Sequence, residues 1–306
     1  MSSPRVVTTG ALLERHYTDF NFEAHVPRDP VQFPHRYERP EDVEVIGFIA
    51  ASLAFGRVAA FEPHLAEICG QLGDEPAATL KAAAQESPDP KALARVEEAS
   101  GWQYRWIKPA DLRALLLALG RSLNEWGTLE KGFAAGLPKR GTKAWKERGI
   151  WGPLGTFLQA MKQHAIAVHE APEERARALG FLFPSVKGAA ACKRQHMFLR
   201  WMVRPKTEGI DFGLWTSLKP KDLVCPADVH TARIGNALGL CSSPEPSRKV
   251  ADELTRSLRL FDNDDPTRFD FALAHLGISG GCRAAYFPTV CETCALKECC
   301  QWWGRY

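Results

Sequence analysis

The chain has 306 residues, of which 45% are hydrophobic and 25% charged, and its formal net charge is +3. That is the balance of a folded globular protein and excludes a chain dominated by disorder. No run approaches the roughly 18 uninterrupted apolar residues of a membrane span, and the opening MSSPRVVTTGALLERHY lacks the apolar stretch of a secretory signal, so a soluble cytoplasmic protein with no membrane partner is expected.

Apolar residues recur at helical spacing through most long segments, and no series of alternating strands stands out, so the prediction is an all-α fold. Pro40 followed by Glu41, Asp42 and Glu44 marks a helix start, with acids near the positive end of the dipole, and VIGFIAASLAF carries that helix to about Gly56. Further helices are predicted at about 61–72, 90–98, 110–126, 152–168, 172–180, 189–203, 209–217, 229–239, 247–260 and 266–276. Asp111 is placed to cap the helix after Pro109, and Asp265-Pro266 reads as a cap with a first-turn proline. LPKRGTKAWKERGIWG, from about Leu137 to Gly152, reads as an exposed loop.

Charge is unevenly spread. Between Ser185 and Lys221 lie Lys187, Lys193, Arg194, Arg200, Arg204, Lys206, Lys219 and Lys221 against only Glu208 and Asp211. Such a run is what a phosphate-binding face would leave, or simply a solvated helix face. The cysteines are uneven too: Cys282, Cys291, Cys294, Cys299 and Cys300 crowd the C-terminal tail, whereas Cys69, Cys192, Cys225 and Cys241 stand alone. Crowding of this kind is metal-site spacing, not a disulfide framework. Cys282-x8-Cys291-x2-Cys294-x5-Cys300 suits an iron-sulfur cluster or a tetrahedral zinc, and spacing alone does not choose between them.

This tail resembles the Cys-x6-Cys-x2-Cys-x5-Cys loop of the endonuclease III-like DNA glycosylases, the helix-hairpin-helix superfamily, with two residues added in the first gap. The resemblance implies a 4Fe-4S cluster held by Cys282, Cys291, Cys294 and Cys300, with Cys299 as a rival for the fourth place. In that family the cluster is chiefly structural and shapes a loop whose basic residues approach DNA, a part that Arg283, Lys297 and Arg305 would take here. A second segment is similar to the superfamily's Asp-x-His-x-x-Arg pattern: Asp228, His230 and Arg233 match it in order and spacing, and Leu238-Gly239-Leu240 resembles the turn that follows. Read without the family, Asp228 is a helix N-cap; read with it, Asp228 is the catalytic carboxylate.

Cleaving an N-glycosidic bond builds positive charge on the sugar, which a preorganised carboxylate stabilises. Glycosylases that also nick the strand add a lysine that forms a Schiff base. Lys193, beside the cation Arg194, is the candidate nucleophile, with Lys187 in reserve. The superfamily's hairpin is reduced here to Val186-Lys187-Gly188-Ala189, and Lys193 precedes Asp228 by 35 residues, a connection more like that of the archaeal 8-oxoguanine branch. The string ACKR followed by FLRWMVR and DFGLW also resembles a bacterial family without settled function.

The architecture implied is a helical barrel lobe at 40–205 with the degenerate hairpin, and a second lobe of 1–39 plus 206–306 carrying the cluster loop at 282–300. The activity implied is that of a DNA glycosylase, with or without strand-nicking, acting as a monomer on duplex DNA that carries a damaged or modified base, oxidised purine favoured. Arg57, Lys187, Arg194, Arg200, Arg204, His230 and Arg233 are its expected DNA contacts. The rival readings are a catalytically silent DNA-damage sensor and an iron-sulfur enzyme that modifies nucleic acid by another chemistry.

Overall fold

The structure, a computed structural model, describes residues 3–283 and 285–304. Among these residues the chain is helical and has no β-strand, only one isolated bridge between Tyr104 and Ile107. Its α-helices are α1 (Ser3–Thr18), α2 (Pro40–Leu53), α3 (Val58–Leu72), α4 (Pro76–Ala83), α5 (Pro90–Ser100), α6 (Pro109–Trp126), α7 (Leu129–Ala134), α8 (Lys143–Arg148), α9 (Trp151–Val168), α10 (Ala176–Leu182), α11 (Lys193–Val203), α12 (Val229–Ala237), α13 (Arg248–Leu258), α14 (Asp270–Ile278) and α15 (Pro288–Cys291). None of the described helices is long and apolar enough to cross a membrane. The chain divides into two compact units, residues 26–187 and residues 1–25 with 188–306. The sequence had suggested a boundary near 205; in the structure α11 belongs with the termini.

In the unit of residues 26–187, α2 is apolar on nearly every side and buried from Asp42 to Leu53. Its acids do more than favour their own helix dipole. Asp42 Oδ1 accepts from the Ala77 amide of α4 at 2.8 Å, and the Glu44 carboxylate accepts from the amides of Leu129 and Glu130 in α7 at 3.0 and 3.1 Å. Two buried carboxylates thus satisfy the open N-terminal amides of neighbouring helices. Phe48, Phe133, Phe157 and Phe183 fill the centre, and α6 packs against α4, α5 and α9. Asp111 sits in the first turn of α6 as expected, taking the Lys108 amide at 2.8 Å. Its carboxylate is also held by Arg175 and His169, which the sequence did not reveal. Within the expected 137–152 loop, Thr142 caps the short α8 and Ile150 is buried.

In the other unit α11 is buried from Gln195 to Val203. The helix predicted at 209–217 does not form. That segment runs extended past the end of α11, where the Phe212 and Trp215 amides donate to the Trp201 and Met202 carbonyls at 2.8 Å each. The apolar pattern there reflects burial of Ile210, Trp215 and Leu218 from a loop. Nor is Asp265 a helix cap: its carboxylate is taken by Arg204, and α14 starts at Asp270. The sequence reading also passed over α1, α4, α7 and α15.

Where α4 and α6 cross, a Cβ on Gly120 would lie 2.1 Å from the Leu80 carbonyl oxygen and 2.7 Å from Ala84 Cβ, whereas one on Gly180 in α10 would meet nothing within 4 Å. Gly120→Ala is therefore expected to destabilise the chain by about 1–3 kcal/mol through overpacking, and Gly180→Ala to be neutral or stabilising by about 0.5–1 kcal/mol. Thermal unfolding of the two variants checks this; equal shifts in Tm would show that the α4–α6 contact is not tight.

Candidate active site and cysteine pocket

The α11 helix begins at Lys193, just after Cys192, which turns the backbone through the left-handed region at φ 47°. The α12 helix begins just after Asp228, whose Oδ1 accepts from the His230 and Thr231 amides at 2.9 Å each and from Thr231 Oγ1 at 3.1 Å. Two helix starts that are 35 residues apart in sequence thereby bring Lys193 Nζ to 3.9 Å from Asp228 Oδ2. Both side chains keep partial access to solvent, 31% for Lys193 and 22% for Asp228, so the pair is open to a ligand. Lys193 Nζ also lies 3.2 Å from Met197 Sδ one turn along α11. His230, two residues into α12, packs flat on α14: a Cβ on Gly277 would sit 2.7 Å from its Nδ1.

Cys282, Cys291, Cys294 and Cys300 line one small pocket of about 30 Å³, walled by Lys297, Trp302 and Trp303. Cys299 is not among the lining residues. It is buried, its thiol donates to the Leu296 carbonyl at 3.2 Å, and it faces Thr9 of α1. Of the two adjacent cysteines, Cys300 lines this pocket and Cys299 does not, its thiol being turned to the Leu296 carbonyl. Among the described residues, no three His, Cys, Asp or Glu side chains converge closely enough to hold a single metal ion.

Residues 29–279 match the family described as protein of unknown function (DUF2400). The chain belongs to the DUF2400 family. The matched stretch takes in Lys193 and Asp228 and ends short of Cys282. No curated protein and no solved structure matches the chain.

The remaining candidate residues of this DUF2400 protein fall into two groups. Lys187 and Arg233 are exposed, as is Arg57 at the start of α3 in the unit of residues 26–187. Arg194 and His230 are half-buried, and burial pushes the Arg194 guanidinium down to about 10. Arg305 lies outside the described residues. In the unit of residues 26–187, Phe55, Trp106 and Phe181 pack at ring separations of 4.7 to 5.2 Å, the Arg105 guanidinium lies 5.7 Å from the Phe55 ring centre, and Trp106 stays 37% exposed.

Arg200 and Arg204 correct the sequence reading. They are 2% and 1% exposed, and their charges are spent inside the protein. Arg200 lies 3.2 Å from Asp211 and 2.9 Å from Asp270; Arg204 lies 2.5 Å from Asp211, 2.8 Å from Asp265 and 3.3 Å from Glu208. Of the eight basic residues between Ser185 and Lys221 these two are buried and the other six keep some access to solvent, so these two guanidiniums offer nothing to a phosphate. Crowding of four acids around two cations has a cost for the acids. Burial pushes Asp270 up to about 6 and, helped by nearby Asp211, pushes Glu208 up to about 7; Tyr17 donates its hydroxyl to Glu208.

The Glu208 shift sets a sign. Below about pH 7 the folded protein holds a proton on Glu208 that the unfolded chain releases above about pH 4.5, so the folded state binds more protons in that window. Stability contributed through this group is complete below the lower limit and falls as pH rises to the upper one. Glu208→Gln removes the titration: denaturant midpoints measured from pH 4.5 to 7 should fall for the wild type relative to the variant, and parallel profiles would refute the assignment.

Proposed function

We propose that this protein is a DNA glycosylase with Schiff-base chemistry, excising a damaged or modified base from duplex DNA. The observation that carries the reading is the approach of Lys193 Nζ to 3.9 Å of Asp228 Oδ2, the two residues to which the family resemblance gave the catalytic roles. A carboxylate whose other oxygen is fully occupied, beside a half-accessible amine at a helix start, suits covalent catalysis at a sugar carbon.

In this reading Asp228 Oδ2 takes a proton from Lys193, and the amine nitrogen attacks C1′ of the deoxyribose. The C1′–N bond to the base breaks and its electron pair leaves with the base, which takes a proton from the newly attached Lys193 nitrogen, so that this nitrogen regains its lone pair. The nitrogen lone pair then expels O4′, which takes up the proton held by Asp228, and an iminium joins Lys193 to the opened sugar. Charge that develops on the sugar is met by the same carboxylate. Exposed Lys187 and Arg233 would contact phosphates, together with Arg57 on its own unit, where the Phe55 and Trp106 rings offer a surface on which a base can stack. Oxidised purine is the favoured lesion class on the strength of the long connection between lysine and aspartate.

A 4Fe-4S cluster is proposed for the tail. Four thiols lining one pocket, at a spacing similar to that of the cluster loop the tail resembles, support this reading, with tetrahedral zinc as the rival. Cys282, Cys291, Cys294 and Cys300 would hold it, and its contribution would be to fix the shape of the loop.

Borohydride trapping on duplexes carrying oxidised, deaminated and abasic sites tests the chemistry. The wild type is expected to form a covalent complex on at least one of them and Lys193→Gln none. Asp228→Asn keeps a cap acceptor for α12 but is expected to slow trapping by at least about 100-fold. Tight duplex binding with neither trapping nor base release would instead identify a silent sensor. For the tail, iron and acid-labile sulfide should survive Cys299→Ser and be lost in Cys300→Ser; stoichiometric zinc without iron would overturn the cluster.

A further inference from the structure

The aspartate at the head of α12 has more donors on one oxygen than a helix cap requires. Two backbone amides, those of His230 and Thr231, already satisfy the cap at 2.9 Å each. The third donor, Thr231 Oγ1 at 3.1 Å, reaches the same Oδ1. A threonine inside a helix ordinarily turns its hydroxyl to the carbonyl one turn back, and here it turns to the capping carboxylate. Thr231 is 1% exposed, so its hydroxyl has no water to fall back on and the bond is held by burial. Oδ1 has two lone-pair directions and three donors converging on it; Oδ2 is left facing Lys193 at 3.9 Å.

We propose that Thr231 is a positioning residue: its hydroxyl locks the Asp228 carboxylate against rotation about its Cβ–Cγ bond, so that Oδ2 alone serves Lys193 and the sugar. This rests on the reading of Lys193 and Asp228 given above. The two oxygens of the carboxylate then have separate duties. Oδ1 builds the helix, and Oδ2 does the chemistry. Without the hydroxyl the two amides still donate to a rocking carboxylate, the helix keeps its cap, and the proton-accepting oxygen spends less time in line with the amine. The rate of the covalent step should suffer, whereas DNA affinity and folding should not.

The test compares wild type, Thr231→Val and Thr231→Ser. The readout is the single-turnover rate of borohydride-trappable complex formation on a duplex carrying an abasic site, taken at saturating and subsaturating protein. Thr231→Val, which keeps the shape and loses the hydroxyl, is expected to slow the saturating rate about 10- to 100-fold, the range for a lost hydrogen bond to a charged group. The half-saturating protein concentration and Tm should stay near wild type. Thr231→Ser restores the donor and should restore most of the rate. A Thr231→Val rate equal to wild type, or no rescue by serine, overturns the proposal, and so does a loss confined to affinity. If the wild type itself traps nothing, the glycosylase reading fails. Crystal structures of the wild type and Thr231→Val then decide the positioning claim separately: a rotated Asp228 carboxylate in the valine variant supports it, and an unmoved one overturns it.

Discussion

Two arginines that cannot reach water determine where the candidate site lies. A buried guanidinium with no partner would cost several kcal/mol, so Arg200 and Arg204 on α11 must draw carboxylates to them from elsewhere in the chain. Asp211 comes from the extended segment after the helix, Asp265 from the loop before α14, and Asp270 from the first turn of α14. Once Asp270 is bonded to Arg200, α14 is fixed against α11. Gly277, two turns along α14, then offers the flat place on which the His230 ring of α12 rests. With α12 seated on α14, its capping Asp228 reaches the amine at the head of α11. The 3.9 Å approach of Lys193 to Asp228 is the end of this sequence of packing steps, and Asp270 itself feels the charge of Lys193.

The same cluster explains why its acids have raised proton affinities while it still holds together. Four carboxylates share two guanidiniums, so at least one of them remains incompletely neutralised at neutral pH, and burial makes that cost fall on Glu208 and Asp270. A protein concerned only with stability gains little by burying such a network, since an apolar replacement of equal volume commonly does as well. What charge adds is direction. A guanidinium donates only along its N–H bonds, and this fixes the mutual register of α11, α14 and the 210–215 segment more narrowly than apolar contact does.

The helices were legible because their apolar faces repeat with a period that any reader of the sequence can follow, and Asp228 was legible as a cap because a short carboxylate before VHTARIG has few other local uses. The link between Asp228 and Lys193 was not. It came from resemblance, since nothing in a separation of 35 residues says that two helix starts converge. Arg200 and Arg204 were misread for a related reason. A basic residue on an amphipathic helix looks the same whether its face is wet or buried, and the acids that decide the matter lie as far away as Asp265 and Asp270. The segment around Ile210 and Trp215 misled in the opposite sense: burial gave a loop the apolar content of a helix. That Cys300 lines the pocket and Cys299 does not was not legible in spacing, because one residue of difference matters only through the local turn.

The cysteine tail is tied to the site by its own backbone. Gln301, immediately after Cys300, donates its amide to the Ala237 carbonyl at 2.8 Å and its side chain to the Asn236 carbonyl at 3.2 Å, so the tail closes the C-terminal end of α12. The last carbonyls of a helix have no partner within it and need one from outside. α12 is thus held at both ends, by its own Asp228 at the first turn and by the cysteine loop at the last. A helix of nine residues is too short to be stable by itself, so what fixes its far end also steadies the carboxylate at its near end. In the proposed reading the cysteine tail would therefore act on Asp228 through the length of α12, with no need for a bound cluster to approach the sugar.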